Sequence, residues 1–509
     1  MTSWLFLIAY TCSGLAGLMY EVTWTRLLTL YIGHTTAAAS AVVAAFLGGL
    51  AIGAAVGGRI ASRMTPRRCL QAYVALEGAV VIGALLLPFE LAWFQPILRW
   101  AYQDGAGGAL FPIVRILSCI VMVMLPALAL GATFPMAIRW FSRRSDQPAV
   151  PSSTLYFVNT IGAAAGSLLG GFVLIPRIGM SGTINVAIAA TSVAALCVLV
   201  ALALSPDDSN DAVPPHTAPT TAPRTRLAAP PWLAITILGV SGFAALVHEI
   251  AWTRILSLVL GPTTYAFAAT LAAVIAGVAI GSGVGAWLVS VRASRAAGML
   301  AFTLSLAAVT ASWTYAAAGA QIPMLVARHV ADFADFDQLL LRGVLLTMAL
   351  ILPTSACLGA AFPMALALAD DRQHAAAGRF GFVYAVNTVG SVGGSLAAGF
   401  AFIPALGIQP TLWIVSGALI VCTGVLIASG ALSGMSRVAA AVIAAIAAIL
   451  VVTSPPWDRE LLASGVYMYA PYVPKDLDLE TQLKAGELLY YEEGAAATVS
   501  VKKLTGTTT

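Results

Sequence analysis

The sequence contains the stretch YEVTWTRLL at residues 20–28 and contains it again, as HEIAWTRIL, at residues 248–256. Each copy ends an otherwise apolar segment and places a glutamate and an arginine five residues apart. Burying such charges in a membrane is costly, so a chain that does this twice at one spacing is unlikely to do it by accident. The offset that carries the first copy onto the second also carries Gly53 onto Gly281 and Asn159 onto Asn387. The chain therefore consists of two copies of one unit.

The composition is that of a polytopic membrane protein. Of the 509 residues 60% are hydrophobic and 9% are charged, and the mean hydropathy is +0.90, far above what a soluble core requires. The formal charge of +4 is small and dispersed, so a lipid bilayer and not a nucleic acid is the expected partner. The six cysteines and five histidines show no CxxC or clustered spacing, which argues against a disulfide framework and a metal site.

Apolar segments of about 17–25 residues, the length that crosses a bilayer, occur six times in each unit, and one further apolar run covers residues 438–453. We therefore predict an all-α polytopic membrane protein with two six-helix repeats, a thirteenth transmembrane helix and the start of a β-containing soluble domain. Because each unit has an even number of helices, the repeats should be parallel, related by an axis along the membrane normal. The predicted first repeat, cytoplasmic linker, second repeat, thirteenth helix and soluble domain are residues 1–204, 205–230, 231–436, 437–454 and 455–509.

The arginines predict the orientation of the chain. With a cytoplasmic N-terminus, fourteen arginines adjoin the spans on the cytoplasmic side and five adjoin them on the other side, which is the bias that the positive-inside rule describes. The thirteenth span then places the tail after about residue 454 outside the cytoplasm. A re-entrant or interfacial segment at 438–453 would instead return the tail to the cytoplasm. We expect a true span, because Val438 to Val452 contains no charged residue and Arg437 precedes it.

The two Glu/Arg elements are the first candidate site. Their acids could line a central cavity and attract a cation or carry protons, with the arginines as counter-charges. Alternatively, each arginine reaches the outer interface or pairs with an acid to lock helices together, while the tryptophans lie in the aromatic belt. Five residues along a helix separate two side chains by about 140°, so we expect pairing across the copies and not within one. The residues concerned are Glu21, Trp24, Arg26, Glu249, Trp252 and Arg254.

Three further polar residues within predicted spans are candidates for an intramembrane function. Asn159 and Asn387 are each followed by a threonine, and the alternative for both is a structural hydrogen bond between helices. Glu77 has Ser305 as its counterpart, so the repeat does not explain it. An acid in the third span without a repeat partner is either functional or close to the inner surface.

One span of each unit contains a glycine between two prolines. Each proline removes a backbone donor and should kink its helix, which frees carbonyl groups at membrane depth. Broken helices of this kind often bind substrate in transporters, although kinked helices also occur in bundles that transport nothing. The residues are Pro126, Gly131 and Pro135 in the first unit and Pro353, Gly359 and Pro363 in the second.

Several stretches also carry a family resemblance. They are EVTWTRLL at 21–28, LGATFP at 130–135, YFVNTIGAAAGSLLGGF at 156–172 with its twin YAVNTVGSVGGSLAAGF at 384–400, and, in the tail, WDRELLASGVYMYA at 457–470 and LYYEEGAAATVSV at 489–501. Together they resemble the bacterial fused major facilitator/spermidine synthase proteins. The resemblance implies a helical membrane domain followed by an aminopropyltransferase-like domain of the Rossmann methyltransferase type.

The same resemblance implies which parts of the aminopropyltransferase-like domain are expected within residues 1–509. Decarboxylated S-adenosylmethionine would be the cosubstrate of the aminopropyltransferase-like domain. The glycine-rich nucleotide loop and the catalytic aspartate of that domain are expected beyond Thr509. We therefore expect no catalytic, cofactor-binding or metal-binding residue within the chain, whose tail would be only the beginning of the domain.

Three functions follow as hypotheses. The first, implied by the resemblance, is a multi-pass protein of the bacterial inner membrane that anchors and serves an aminopropyltransferase-like domain in polyamine-type metabolism. The second is a transporter of a small cationic or amphipathic solute, with Glu21, Glu249 and Glu77 in its path. The third is a scaffold subunit that binds the other members of a larger membrane complex. An open acidic cavity between the halves would favour the second, and a closed, glycine-packed centre would favour the first or the third.

Overall fold

The computed structural model describes residues 2–32, 36–103, 110–141, 149–204, 230–332, 336–369, 376–432, 434–494, 497–504 and 507–508. The first repeat contains α1 (Thr2–Ile32), α2 (Thr36–Ala61), α3 (Pro66–Tyr102), α4 (Leu110–Phe141), α5 (Ala149–Leu168) and α6 (Ile175–Ala203). The second contains α7 (Pro231–Val259), α8 (Thr264–Arg292), α9 (Ala296–Ala318), the short α10 (Gln321–Ala331), α11 (Phe336–Leu368), α12 (Ala376–Ala397), α13 (Ile403–Leu406) and α14 (Ile408–Ala428), and α15 (Gly434–Val452) follows. Of the predicted linker, residues 205–229 lie outside the described residues.

Local signals begin several of these helices. The side chain of Thr65 accepts a hydrogen bond from the N–H of Arg68, and Pro66 occupies the first turn of α3, where its missing N–H costs nothing. Thr263 caps α8 in the same way by accepting from the N–H of Ala266 at 3.1 Å. A threonine thus caps the N-terminus of both α3 and α8.

The helices make thirteen crossings within the described part of the chain, as predicted. Eleven apolar helical stretches are long enough to span a membrane. Two of them, Thr154–Ala203 with 50 residues and Thr264–Ala318 with 55 residues, each contain two spans, because about 20 helical residues already cover 30 Å. The protein is therefore a multi-pass membrane protein.

The two repeats pack in the same way. Helix α2 packs on α4 as α8 packs on α11, and α1 packs on α5 as α7 packs on α12. The contacts between the repeats are reciprocal: α5 of the first repeat packs on α8 of the second, and α12 of the second repeat packs on α2 of the first. This reciprocal exchange is what parallel repeats related by a two-fold axis along the membrane normal produce, and it confirms the predicted architecture.

Glycines make the helix pairs possible at matching places in the two repeats. A Cβ on Gly53 would overlap the carbonyl of Leu128, and a Cβ on Gly281 would overlap the carbonyl of Ala356. The offset between the repeats carries each of these contacts onto the other. In each repeat the contact lies between the second helix and the fourth long helix. The glycine lets the two helix backbones touch, as small residues commonly do in membrane proteins.

The proline-containing helices remain continuous, and the predicted kinks stay a prediction. Both α4 and α11 run without interruption through their two prolines. The irregular segments are instead π-helical, at Leu169–Leu174 and Ala398–Phe402. At the end of each segment a backbone N–H donates to the carbonyl five residues earlier. Ile175 donates to Gly170, and Ile403 donates to Ala398. A proline without an N–H follows in both cases, so the normal bonding pattern cannot resume at that residue.

The thirteenth helix and the tail lie against the second repeat. Helix α15 packs on α9 and α14 through small residues, Ala440, Ala444 and Ala447, and exposes most of its remaining surface. The tail continues with α16 (Arg459–Leu462), α17 (Val466–Tyr469), α18 (Leu479–Leu483) and an antiparallel sheet of β1 (Glu487–Glu493), β2 (Thr498–Leu504) and β3 (Thr507–Thr508) in the order β1-β2-β3. The strand predicted at 498–501 is thus confirmed. Because the tail contacts the end of α7 and the start of α14, it lies on the face opposite the N-terminus of α1.

Candidate functional site between the two repeats

Glu21 and Glu249 lie at the interface of the two repeats. Protein surrounds each carboxylate, although each side chain keeps part of its surface accessible. The charge of Glu249 acts on Glu21, and the charge of Glu21 acts on Tyr384 of the second repeat. The two copies of the repeated stretch thus bring their acids within electrostatic range of each other.

The two tryptophans of the repeated stretch lie in the protein core and not in an aromatic belt. Trp24 is 1% exposed and Trp252 is fully buried. Trp24 stacks on Tyr20 with ring centroids 4.9 Å apart, and Trp252 lies 6.2 Å from the ring of His248. The alternative that these rings anchor the helices at the membrane surface is therefore wrong, because packing within each repeat takes up their whole surface.

The predicted pairing of acids and arginines across the copies is not formed. Within the described residues, no ion pair joins Arg26 or Arg254 to an acid of the repeated stretch. Nη2 of Arg254 instead donates to the carbonyl of Gly494 in the tail at 2.8 Å, and Glu493 adds an attractive charge. Five residues of helix carry each arginine about 7.5 Å beyond its acid, towards the face where the tail lies. The acids consequently lack an arginine counter-charge in this part of the chain.

The tail is fastened to the second repeat by buried polar contacts. The indole N–H of Trp457 donates to the carbonyl of Tyr315 at 2.9 Å, and the hydroxyl of Tyr315 lies 2.6 Å from Nδ1 of the buried His248. A carboxylate oxygen of Glu493 accepts from the N–H of Ile408 at 2.5 Å, at the beginning of α14. A negative charge is favourable at that end of a helix. The tail is thereby linked to the residue that precedes Glu249.

An ion pair also holds the tail together internally. Nζ of Lys484 lies 2.6 Å from Asp458 and 2.6 Å from Glu480. Burial alone would raise the pKa of Asp458, but hydrogen bonds from Lys484 and from the N–H of Leu461 outweigh it and hold that pKa below its ordinary value. The bonds to Asp458 and then to Glu480 raise the pKa of Lys484. A carboxylate whose pKa is lower in the folded protein than in the unfolded chain stabilises the folded state at any pH above the unfolded-state pKa. This stabilisation is lost as the pH falls through the folded-state pKa. The pair is therefore intact at neutral pH.

Replacing Arg254 by glutamine should release the tail, whereas the same change at its counterpart Arg26 should not. The change at Arg254 removes a charged hydrogen bond worth about 1.5–3 kcal/mol and leaves Glu493 without that charge. We expect trypsin to remove the tail from the purified R254Q protein roughly tenfold faster than from the wild type. Gel electrophoresis over time measures this rate. Equal cleavage of R254Q and R26Q would contradict the assigned contact.

Four aromatic rings join the two repeats. Phe134 lies 6.0 Å from Tyr384 across the interface, and Phe362 lies 5.5 Å from Tyr156, measured between ring centroids. Within each repeat, the corresponding distances between phenylalanine and tyrosine are 6.3 and 6.4 Å. We call these rings the aromatic quartet. It obeys the same two-fold relation as the acids, and its residues lie near the ends of α4, α5, α11 and α12 that share the face of the N-terminus.

Sequence reasoning did not identify the aromatic quartet, although a signal was present. The offset that relates the two acids also carries Phe134 onto Phe362 and Tyr156 onto Tyr384. Apolar aromatic residues are common in membrane spans, so the repetition of four of them does not by itself distinguish a joint between the repeats from ordinary core packing. Their convergence becomes visible only when α4, α5, α11 and α12 are assembled.

Glu77 lies apart from the acid pair. Its side chain is fully buried in the first repeat, so it does not lie at the inner surface. The hydroxyls of Ser13 and Tyr73 face its carboxyl group, although neither meets the geometry of a full hydrogen bond. The other groups on which its charge acts, Tyr10, Cys12 and Tyr20, also belong to the first repeat.

The remaining sequence candidates lie at helix contacts. The carbonyl and side chain of Asn159 lie against Gly14 of α1, and Asn387 lies in the same way against Gly242 of α7. Helix α4 brings Pro126, Gly131 and Pro135 against Gly83, Leu50 and Gly57, and helix α11 brings Gly359 and Pro363 against Val278 and Gly285, while Pro353 lies within α11. In the described residues no group of three or more histidine, cysteine, aspartate or glutamate side chains could hold a metal ion.

No protein-family model and no curated protein matches this chain. Among solved structures, it is similar to the E. coli fucose:proton symporter FucP, with 15% identity, 88% of this chain and 97% of that chain covered and a TM-score of 0.45. It is also similar to an auto-inhibited peptide transporter of the POT family, with 14% identity, 94% and 99% covered and a TM-score of 0.38. Both similarities concern the fold alone.

Proposed function

We propose that this protein transports a small organic cation across a bacterial inner membrane, with Glu21 and Glu249 as the carboxylates that bind it. The observation that carries the proposal is that these two acids lie within electrostatic range of each other between the repeats, with no ion pair to an arginine among the described residues. Two neighbouring carboxylates repel each other inside a protein, where charges are weakly screened. A cation between them removes that repulsion, and one with two or more ammonium groups can neutralise both.

The aromatic quartet supplies the gate that such a transporter needs. In this proposal, its ring contacts between the repeats close the path on the side that faces the N-terminus. Rocking of one parallel repeat against the other about a central site is the general mode of alternating access in this architecture. Aromatic faces also attract ammonium groups, so the opened quartet would suit a cation.

The orientation of the proposed transporter follows from its arginines. We infer from the excess of arginine beside one set of helix ends that the N-terminus lies in the cytoplasm. The aromatic quartet would then close the cytoplasmic side. The docked tail would lie outside the cytoplasm, over the second repeat.

A second candidate function is that the membrane part anchors and serves an aminopropyltransferase-like domain. The firm attachment of the tail to α7, α9 and α14 favours it, because Trp457 and Glu493 bind the membrane part directly. An external tail would separate such a domain from cytoplasmic decarboxylated S-adenosylmethionine. Both candidates concern polyamine-like cations, and they differ in whether the acid pair is required.

Uptake of radiolabelled spermidine into liposomes that contain the purified protein tests the proposal. We expect uptake above that of protein-free liposomes, and a loss of about tenfold or more in both the E21Q and E249Q proteins, because each change removes a charged hydrogen-bond partner. The E487Q protein, changed at an exposed acid of the tail, is the control and should behave as the wild type. Size-exclusion chromatography confirms that each variant is folded. Uptake by E21Q and E249Q at the wild-type rate would overturn the proposal, as would no uptake by the wild type.

A further inference from the structure

A cavity on the lipid-facing side of the second repeat has the form of a lipid site. It has a volume of about 780 Å³ and lies between α8, α9, α11 and the beginning of α15. Its walls are largely apolar, and Ile280, Val284 and Phe302 are each exposed over more than 40% of their surface. Such apolar surface at membrane depth is covered either by lipid or by another protein. We call this cavity the α15 groove.

One end of the α15 groove is positively charged. Arg292 and Arg295, where α8 turns into α9, form part of its lining together with Ser294, and all three are exposed. Among the residues that the structure describes, those that line the groove include no acid. Ile280, at the other end, is twelve residues from Arg292 along α8, which is about 18 Å. This distance is close to half of the roughly 30 Å hydrocarbon core, so the groove runs from a headgroup level to the middle of the bilayer.

The α15 groove is a feature of the second repeat alone. The packing of α15 on α9 fixes one of its walls, and the hydroxyl of Ser305 donates to the carbonyl of Ala440 at 3.2 Å. In the described part of the chain the first repeat has no counterpart of α15, and Met64 occupies the position that corresponds to Arg292. The groove therefore did not arise as a by-product of the repeated architecture.

We propose that the α15 groove binds an anionic phospholipid, with its phosphate on Arg292 and Arg295 and an acyl chain along the apolar wall between α8 and α15. The charge of the arginines matches an anionic headgroup at the level where phosphates lie, and arginine binds phosphate oxygens through two parallel N–H groups. The apolar wall matches an acyl chain in length and polarity. A free phosphate or a soluble anion would leave this wall uncovered.

Native mass spectrometry of the full chain, released from detergent with added lipid, tests the proposal. Palmitoyl-oleoyl phosphatidylglycerol should remain bound to the wild type as one molecule per chain, and phosphatidylcholine with the same chains should not. Binding should weaken about thirtyfold in R292Q/R295Q, because each arginine near an anionic lipid contributes about fivefold. The matched control is R59Q/R63Q, which removes two exposed arginines beside α2 on the same face of the protein.

A second variant tests the apolar half of the α15 groove. Ala439→Phe places a ring in the lining of the groove and leaves both arginines in place. It should also reduce phosphatidylglycerol binding, by about the same factor or more. Equal retention of both lipids, unchanged binding in R292Q/R295Q, or a dimer of the chain in place of bound lipid would overturn the proposal.

Discussion

Gly281→Ala and Gly53→Ala should each lower the stability of the folded protein, although alanine is the better helix former. At both positions a Cβ would overlap a backbone carbonyl of the facing helix, so α8 must move away from α11, or α2 from α4. Overpacking of a tight core costs about 1–3 kcal/mol, and loss of backbone contact along a whole helix pair adds to that cost. The unfolding temperature in detergent, followed by tryptophan fluorescence, measures the effect.

Gly48 provides the matched control for this prediction. It lies in the same helix as Gly53, and a Cβ on it would have no neighbour within 4 Å. Gly48→Ala should therefore leave the unfolding temperature unchanged or raise it, since alanine is favoured over glycine in a helix by about 1 kcal/mol. Equal unfolding temperatures for G48A, G53A and G281A would show that the close approach of these helices is not needed.

Phe134→Ala and Phe362→Ala should each open a leak between the repeats. Each change removes a ring that contacts a tyrosine of the other repeat, at 6.0 Å and 5.5 Å, and leaves a gap between the repeats. Liposomes loaded with radiolabelled spermidine should lose it through these variants about tenfold faster than through the wild type when the spermidine gradient is the only driving force. The two variants should resemble each other, because the two-fold relation makes their positions equivalent.

Phe89→Ala, at a position 63% exposed on α3, is the control for the leak. It removes the same side chain from the surface and should not affect efflux. Truncation of a buried phenylalanine also costs about 3–5 kcal/mol, so each variant must first elute as a folded protein. If the folded F134A and F362A proteins retain spermidine as well as the wild type does, the aromatic quartet is not the gate.

The sequence predicts the repeats, the thirteen spans and the strand of the tail because each produces a local or periodic pattern of residues. The constant offset between the repeats relates Glu21 to Glu249 however the helices pack. The sequence around Arg26 and Arg254 does not predict that their contacts differ, since both arginines follow the same Trp-Thr pair five residues after a glutamate. The difference arises because a tail loop, 240 residues further along the chain, reaches one arginine.

The proline-containing spans show a second limit of sequence reasoning. Proline removes a hydrogen bond wherever it occurs, but neighbouring helices decide whether the helix also breaks. Here α4 runs without interruption through both prolines, while the ring of Pro126 packs against Gly83 and Gly131 lies against the backbone of α2. The irregular segments form before Pro176 and Pro404 instead, close to the turns into α6 and α14.

Equilibrium binding of tritiated spermidine to the purified full chain tests most directly whether the acid pair is a cation site. It needs neither a gradient nor an intact gate, so it separates binding by Glu21 and Glu249 from every later step of transport. The wild type and E487Q should bind spermidine equally, and the E21Q/E249Q double variant should bind it about a hundredfold more weakly, as expected when two charged contacts are lost. Equal affinity of the wild type and the folded double variant, or no binding by either, would contradict the account.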